Sequence, residues 1–246
     1  MTMDLNADLG EGYGDDAALM PLLTSANIAC GAHAGDAASM RQSVKAALGN
    51  HVKIGAHVSY PDREGFGRRE LSLPAAKLTA AVLEQIQVLD AVARSQRTQV
   101  HYLKAHGALY NRMADDAETA DAVLAAMKSF DAGMPLLTLP GSVAMERARL
   151  KGVRAVAEAF ADRAYNSASR LVPRSRQGAV ITDVAKVVQQ AVTLATTGAI
   201  ASIEGAQITI HARSLCLHGD TPGAVQLARA VRTALEKAGV KLGAFA

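Results

Sequence analysis

The chain has 246 residues, half of them hydrophobic and a fifth charged, which is enough for one sizeable core and close to the length of a single α/β barrel. A net charge of +3, the lack of a Lys/Arg run and an aromatic content of only 4 % exclude the basic stripe and base-stacking platform of a nucleic-acid binder. The two longest stretches without Asp, Glu, Lys or Arg, 17–35 and 187–203, are broken by Pro21 and Asn27 and by Gln189, Gln190 and Gly198, and Asp4 replaces any apolar leader, so neither a membrane span nor a signal peptide is read.

The first strand candidate, MDLNA at 3–7, runs into DLGEGYGDD and carries Asp4, Asn6, Asp8 and Glu11. An unpaired buried carboxylate costs several kcal/mol or takes up a proton. This is therefore either a polar edge strand or a strand ending in a site that needs acids. The second strand, ANIAC at 26–30, is followed by His33 and Asp36. Asp36 is placed to cap a helix over 37–48, with His33 either at that helix start or in a site. The third, VKIGAH, ends on His57 ahead of a long Gly-rich loop, VSYPDREGFGRR, of a length that is often functional. In this loop Tyr60 and Phe66 could cover a barrel mouth. Leu78, Val82, Ile86, Leu89 and Ala93 then form one face of a helix over 74–96 that starts at Pro74. In VHYLKAH, Lys104 and His106 lie two apart and share a face if both are on the strand.

Helix 116–130, strand PLLTLP, helix 142–150 and strand RAVAEAF follow, the last bringing Glu158, Asp162 and Arg163. In DRAYNSASRLVPRSRQG, one or two of Arg163, Arg170, Arg174 and Arg176 could clamp an anion through the guanidinium fork. A helix over 183–197, with Thr182 as N-cap and Gly198 as its stop, leads to the two weakest strand candidates, AQITI and SLCLHG. His218 and Asp220 follow, then a helix over 222–238. Cys30 and Cys216 sit in apolar strand contexts outside any C-x-x-C pair and read as buried reduced thiols, which suits a cytoplasmic protein. His51, His101 and His211 read as surface or packing residues.

Repeated β-then-α order with helical crossovers, in seven or eight units and without a linker, predicts a TIM-like (β/α) barrel spanning 1–246 as a single domain. In a parallel barrel all strand ends lie on one face, where active sites are built, so the polar residues after successive strands converge. No G-x-x-x-x-G-K-[ST], G-x-S-x-G or H-E-x-x-H motif is present. The remaining carboxylate, imidazole, ammonium and guanidinium set suits water activation and oxyanion stabilisation, with or without a metal. Hydrolysis of an amide, ester or phosphate is the natural class.

DLNADLGEG, SANIACGAHAGD, IGAHVSYPDREGFGRR, KAHGALYN, EAFADRAY, LVPRSRQGAVI and CLHGDTPGA, in this order from about Met3 to Ala224, resemble the LamB/YcsF family. The resemblance implies a seven-stranded barrel similar to polysaccharide deacetylases and the ATP-driven opening of 5-oxo-L-proline to L-glutamate by a 5-oxoprolinase with separate B and C subunits. ATP would then be a co-substrate held largely by those partners. On that reading Asp8 is the general base, and His57 and His106 position water, bind a metal or stabilise the oxyanion. Lys104 neutralises developing charge, while Arg163 or Arg174 holds the substrate carboxylate or a phosphate. Asn6 and His33 contribute to substrate binding, and Glu158 and the His218/Asp220 pair orient these groups or shuttle a proton. A divalent metal, if present, would use Asp8, His57 and His106. Ala32, Val58 and Ala105 depart from the family's usual aromatic, Pro and Pro, beside the polar positions but not at them. Two other readings stay open: a metal-dependent carbohydrate deacetylase-like hydrolase, and a non-catalytic lactam-binding subunit.

Overall fold

Alternation along the first strand sets the architecture. In the computed structural model, which describes residues 2–219 and 223–246, β1 (Thr2–Leu9) is buried at every position after the first. Successive strand side chains point to opposite faces. Met3, Leu5, Ala7 and Leu9 join a core that includes Val44, Ile86 and Val123 of the surrounding helices. Asp4, Asn6 and Asp8 face the other way and hydrogen-bond to residues of neighbouring and opposite strands. A strand buried on both faces belongs in a parallel sheet covered by helices.

The remaining strands are β2 (Ser25–Ala29), β3 (Lys53–Val58), β4 (Tyr102–Ala105), β5 (Leu136–Thr138), β6 (Ala155–Phe160), β7 (Ala199–Ala201), β8 (Gln207–Thr209), β9 (Ser214–His218) and β10 (Lys241–Leu242). Parallel pairing runs β1-β2-β3-β4-β5-β6-β9, and β9 pairs back onto β1, closing a seven-stranded barrel. β10 adds to β1 beside Thr2 and Met3. The expected barrel strand at 206–210 instead forms an antiparallel hairpin with β7 outside the barrel. Gln207 and Thr209 are exposed around buried Ile208, a half-buried alternation that suits a two-stranded edge rather than a barrel wall.

Helices Ala37–Gly49, Ala75–Ser95, Ala117–Phe130, Val143–Leu150, Val184–Thr196 and Ala224–Lys237 fall where periodicity placed them. Asp36 caps the first through a capping box with Ser39, and Pro74 occupies the N-cap of the second. Asp183, not Thr182, caps Val184–Thr196 by accepting the Lys186 N–H. A further helix, Gly107–Asp115, starts one residue after His106 and was not expected from periodicity. None of the helices among the described residues is long and apolar enough to cross a membrane.

Inside the barrel, Tyr102, Leu137, Val156 and Phe245 form a small apolar cluster of their own. The Tyr102 hydroxyl donates to Asn27 Oδ1 (2.7 Å), which ties the ring to the polar network around Asn6 and Asp8. Strand register carries the polar residues to one level at the carboxyl ends: Asp8 pairs with Asn27 and with His218, and His57 with Lys104.

Candidate active site

A cavity of about 380 Å³ opens at the carboxyl ends of the barrel strands, where Asp8, Glu11, His57, Lys104, His106 and His218 reach it. Arg68, Arg163, Arg170 and Arg174 add four guanidinium groups to its lining. Lys104 Nζ is 3.0 Å from both Asp8 Oδ1 and Glu158 Oε1 and donates to Cys216 Sγ at 3.1 Å. All four side chains are buried. Burial opposes the Lys104 charge, but Asp8, Cys216 and Glu158 hold it well above the usual lysine range. Burial likewise works against the Asp8 carboxylate, yet His57 and Lys104 beside it hold it well below its ordinary value. The side-chain amide of Asn27 donates to Asp8 Oδ1 (2.8 Å), which leaves Oδ2 beside His57 Nε2 at 3.3 Å. Burial keeps the Cys216 thiol protonated, its pKa pushed well above the usual range.

Three histidines surround Glu11. Its Oε1 lies 3.0 Å from His33 Nε2, 3.2 Å from His106 Nδ1 and 3.6 Å from His57 Nε2, while His57 Nε2 and His106 Nδ1 are 3.0 Å apart. The His33 and His106 rings stack with centroids 3.9 Å apart, and Phe66 covers both edge-on. Burial pushes His33 down to about 4 and His106 below the usual imidazole range. Burial opposes the Glu11 charge, but His106 and His33 hold its carboxyl well below the ordinary value. One carboxylate and three imidazoles whose donor atoms lie within 4.8 Å of one another form a ligand set of the kind that holds a metal ion.

The loop that carries Phe66 is pinned to this cluster by backbone. Ala108 N donates to Gly67 O (2.9 Å), and Gly107, at φ +57°, passes so close that a Cβ there would lie 2.5 Å from the same oxygen. The small residue after His106 thus lets the loop close over the histidines.

On β9, beside Asp8, His218 Nδ1 lies 2.8 and 2.9 Å from the two oxygens of Asp162, which also accepts the His218 backbone N–H. Burial disfavours the Asp162 charge, but His218 holds that carboxyl below its usual range. The His218 ring stacks on Phe160, with Nδ1 tied to Asp162. Its carboxylate partner among the described residues is therefore Asp162, whereas Asp220, the expected partner, lies outside them.

Of the other expected residues, Asn6 and Glu158 are fully buried beneath the cavity. Asn6 donates to Glu158 Oε1 and Ser214 Oγ, and Tyr110 donates to Glu158 Oε2. His33 sits behind His106 in the histidine cluster. Arg163 lines the cavity but donates to Val172 O and Ala179 O, which ties the 163–180 segment together. Arg176 pairs with Glu204 at the surface. Glu11 and Asp162 stand among the polar residues noted after their strands but carried no assigned role, and Tyr110 was not singled out. Tyr110 stands one helical turn after His106, and Asp162 two residues past the end of β6. Glu11 lies in a turn flanked by Gly10 and Gly12, both at positive φ, where a sequence shows no direction for the side chain.

The fold and the site together define a closed parallel (β/α) barrel whose polar centre, built from carboxylates, imidazoles and one buried ammonium, sits at the carboxyl ends of its strands, the place where barrel enzymes keep their catalytic groups. Residues 3–246 match the LamB/YcsF family over essentially the whole chain, and the protein belongs to that family. It is 52 % identical to the A subunit of 5-oxoprolinase from Streptomyces avermitilis over 99 % of this chain and all of that one. The crystal structure of a lactam utilization protein from Thermus thermophilus superposes with a TM-score of 0.94 at 43 % identity, covering both chains completely. The catalytic domain of a peptidoglycan N-acetylglucosamine deacetylase from Eubacterium rectale shares the fold alone, with a TM-score of 0.50 at 9 % identity over 100 % of this chain and 88 % of that one.

Proposed function

We propose that this chain is the A component of a cytoplasmic, ATP-dependent 5-oxoprolinase that opens the lactam of 5-oxo-L-proline to L-glutamate together with B and C subunits. The observation that carries the reading is the side-by-side placement, on adjacent strands at one cavity, of a buried carboxylate, Asp8, and an Asp162-oriented imidazole, His218, in a chain about half identical to a 5-oxoprolinase component. A lactam carbonyl is a poor electrophile, and phosphorylation of its oxygen at the expense of ATP supplies a better one. The absence of a P-loop supports ATP being held largely by the partner subunits.

In this chain Asp8 takes the proton of the attacking water, whose oxygen bonds to the lactam carbon. Lys104, 3.0 Å from Asp8, compensates negative charge that develops beside it. The ring C–N bond breaks and its electron pair goes to nitrogen, which takes the Nε2 proton of a protonated His218; this leaves the new side-chain carboxyl as its acyl phosphate, and a second water then breaks that linkage to give glutamate and phosphate. Asp162 holds that imidazole in the required orientation. Arg174, with Arg68 and Arg170 on the same cavity lining, attracts the carboxylate and phosphate of the substrate. A divalent ion bound by Glu11, His33, His57 and His106 would supply Lewis-acid polarisation and a more acidic water.

The test is to mix the chain with candidate B and C subunits, 5-oxo-L-proline and ATP, and to measure glutamate and phosphate together while omitting each component in turn. Asp8→Asn should lower glutamate formation by at least ~100-fold, the scale of a lost general base, without unfolding the chain. Near-normal turnover in that variant, or full turnover without this chain, would overturn the assignment. The Glu–His cluster also favours a second reading, a metal-dependent deacetylase acting on carbohydrates. It predicts acetate release from an acetylated oligosaccharide by this chain and metal alone, without ATP.

A further inference from the structure

The hydrogen bonds on the far sides of the three histidines say what lies between them. His57 Nδ1 faces Lys104 O at 3.3 Å and His106 Nε2 faces Phe66 O at 3.0 Å. A carbonyl oxygen only accepts, so each of these ring nitrogens carries its proton. His33 Nδ1 faces Ser59 Oγ at 3.0 Å. Ser59 spends its single hydroxyl proton on Tyr60 O (2.8 Å), so this nitrogen too is a donor. In neutral imidazoles the other nitrogens, His33 Nε2, His57 Nε2 and His106 Nδ1, then carry lone pairs. These three nitrogens and Glu11 Oε1 all lie within 4.8 Å of one another, and two of the nitrogens are only 3.0 Å apart. Four buried acceptors facing one another repel unless a cation sits among them.

Charge points the same way. Asp8, Glu11, Glu158 and Asp162 are four carboxylates buried at or beside this centre, against the buried cations Lys104 and Arg163 among the described residues. A dication restores neutrality. Four bonds of ~2.0–2.2 Å in a tetrahedron set the donor atoms about 3.3–3.6 Å apart, so an ion here draws the shorter pairs apart by a few tenths of an ångström. The separations around Glu11 Oε1 are 3.0, 3.2 and 3.6 Å. The far-side carbonyls and the Ser59 hydroxyl are the outer partners that orient histidine ligands in metal sites.

We infer that Glu11 Oε1, His33 Nε2, His57 Nε2 and His106 Nδ1 bind one divalent first-row transition ion of the Zn²⁺ class, with Asp8 beside the ion rather than bound to it. Nitrogen and carboxylate donors in a four-atom set select such an ion over Mg²⁺ or Ca²⁺, which take six or more oxygen ligands. Three of the ligands stand on or just after barrel strands, and Glu11 closes the set from its glycine-flanked turn.

The experiment uses the full chain alone, without lactam, ATP or partners, so its failure leaves the ring-opening reading standing, and failure of that reading leaves this one. Protein purified without chelator is assayed for metal, stripped, and titrated with Zn²⁺ and with Co²⁺. The expected result is close to one ion per chain and the intense visible absorption of four-coordinate Co²⁺. Ser59→Ala, which frees the His33 ring without touching a ligand, should weaken Zn²⁺ binding ~10–100-fold. Glu11→Gln should weaken it and shift the Co²⁺ bands, whereas Asp8→Asn should retain the ion. A folded wild-type chain that takes up neither ion stoichiometrically overturns the inference. So does loss of the ion in Asp8→Asn with unchanged binding in Glu11→Gln.

Discussion

Asp4 shows how a single residue in this barrel can carry a pH dependence of its own. It lies at the amino end of the polar stripe of β1, accepts hydrogen bonds from Thr24, Ser25 and Ser214, and is fully buried. Burial outweighs those hydrogen bonds and raises its pKa from 3.8 to about 6. Between those two values the folded chain holds a proton that the unfolded chain releases, so this group's contribution to stability falls as pH rises through that window. The difference is worth ~3 kcal/mol at about 1.4 kcal/mol per unit. Asp4→Asn mimics the protonated form, so urea denaturation of the variant from pH 4 to 6 should lack this component of the wild-type slope. Parallel stability curves for the two proteins would show that Asp4 is not the group responsible. Lys104 is the contrasting case: its charge is kept because two carboxylates lie 3.0 Å away, and a buried charge persists only when paired.

At the scale of the element, the contact between β3 and β4 depends on a missing side chain. A Cβ on Gly55 would stand 2.3 Å from the ring of Tyr102, its pairing partner across the strands. That ring is held by its hydroxyl on Asn27 and by the edge of Phe245 (centroids 4.9 Å apart), so it has nowhere to swing. Gly55→Ala should destabilise the chain by ~1–3 kcal/mol through overpacking. The same substitution in a Tyr102→Leu background should cost less, because contacting sites are not additive. Equal costs in both backgrounds would show that the ring is not the obstacle.

At the scale of the molecule, closure of the barrel at both ends matters. The carboxyl ends carry the site. Within the barrel, the chain's C-terminal segment brings Phe245 onto Tyr102, and Arg154 donates to Phe245 O at 2.7 Å. Phe245→Ala removes a nearly buried aromatic side chain and should cost ~3 kcal/mol. An unchanged urea midpoint would show that the plug contributes nothing to stability. Closure also explains why the interior can be polar: β1, β2, β4, β6 and β9 each point polar groups inward, and these satisfy one another across the barrel rather than facing apolar packing.

Much of this was legible in the chain alone. The β-then-α order, the six principal helices and the run of polar residues after successive strands follow from local periodicity and turn chemistry, which depend on neighbours a few residues apart. Asp8, His57, Lys104, His106 and His218 stand out for that reason, each at or just beyond a strand end. The location of residues 206–210 outside the barrel, the pairing of His218 with Asp162 and the turning of Glu11 into the histidine cluster could not be read this way. They depend on strand register, on ring tautomers and on the path of glycine turns. Those are set by contacts between residues tens to hundreds of positions apart, which exist only once the barrel has closed.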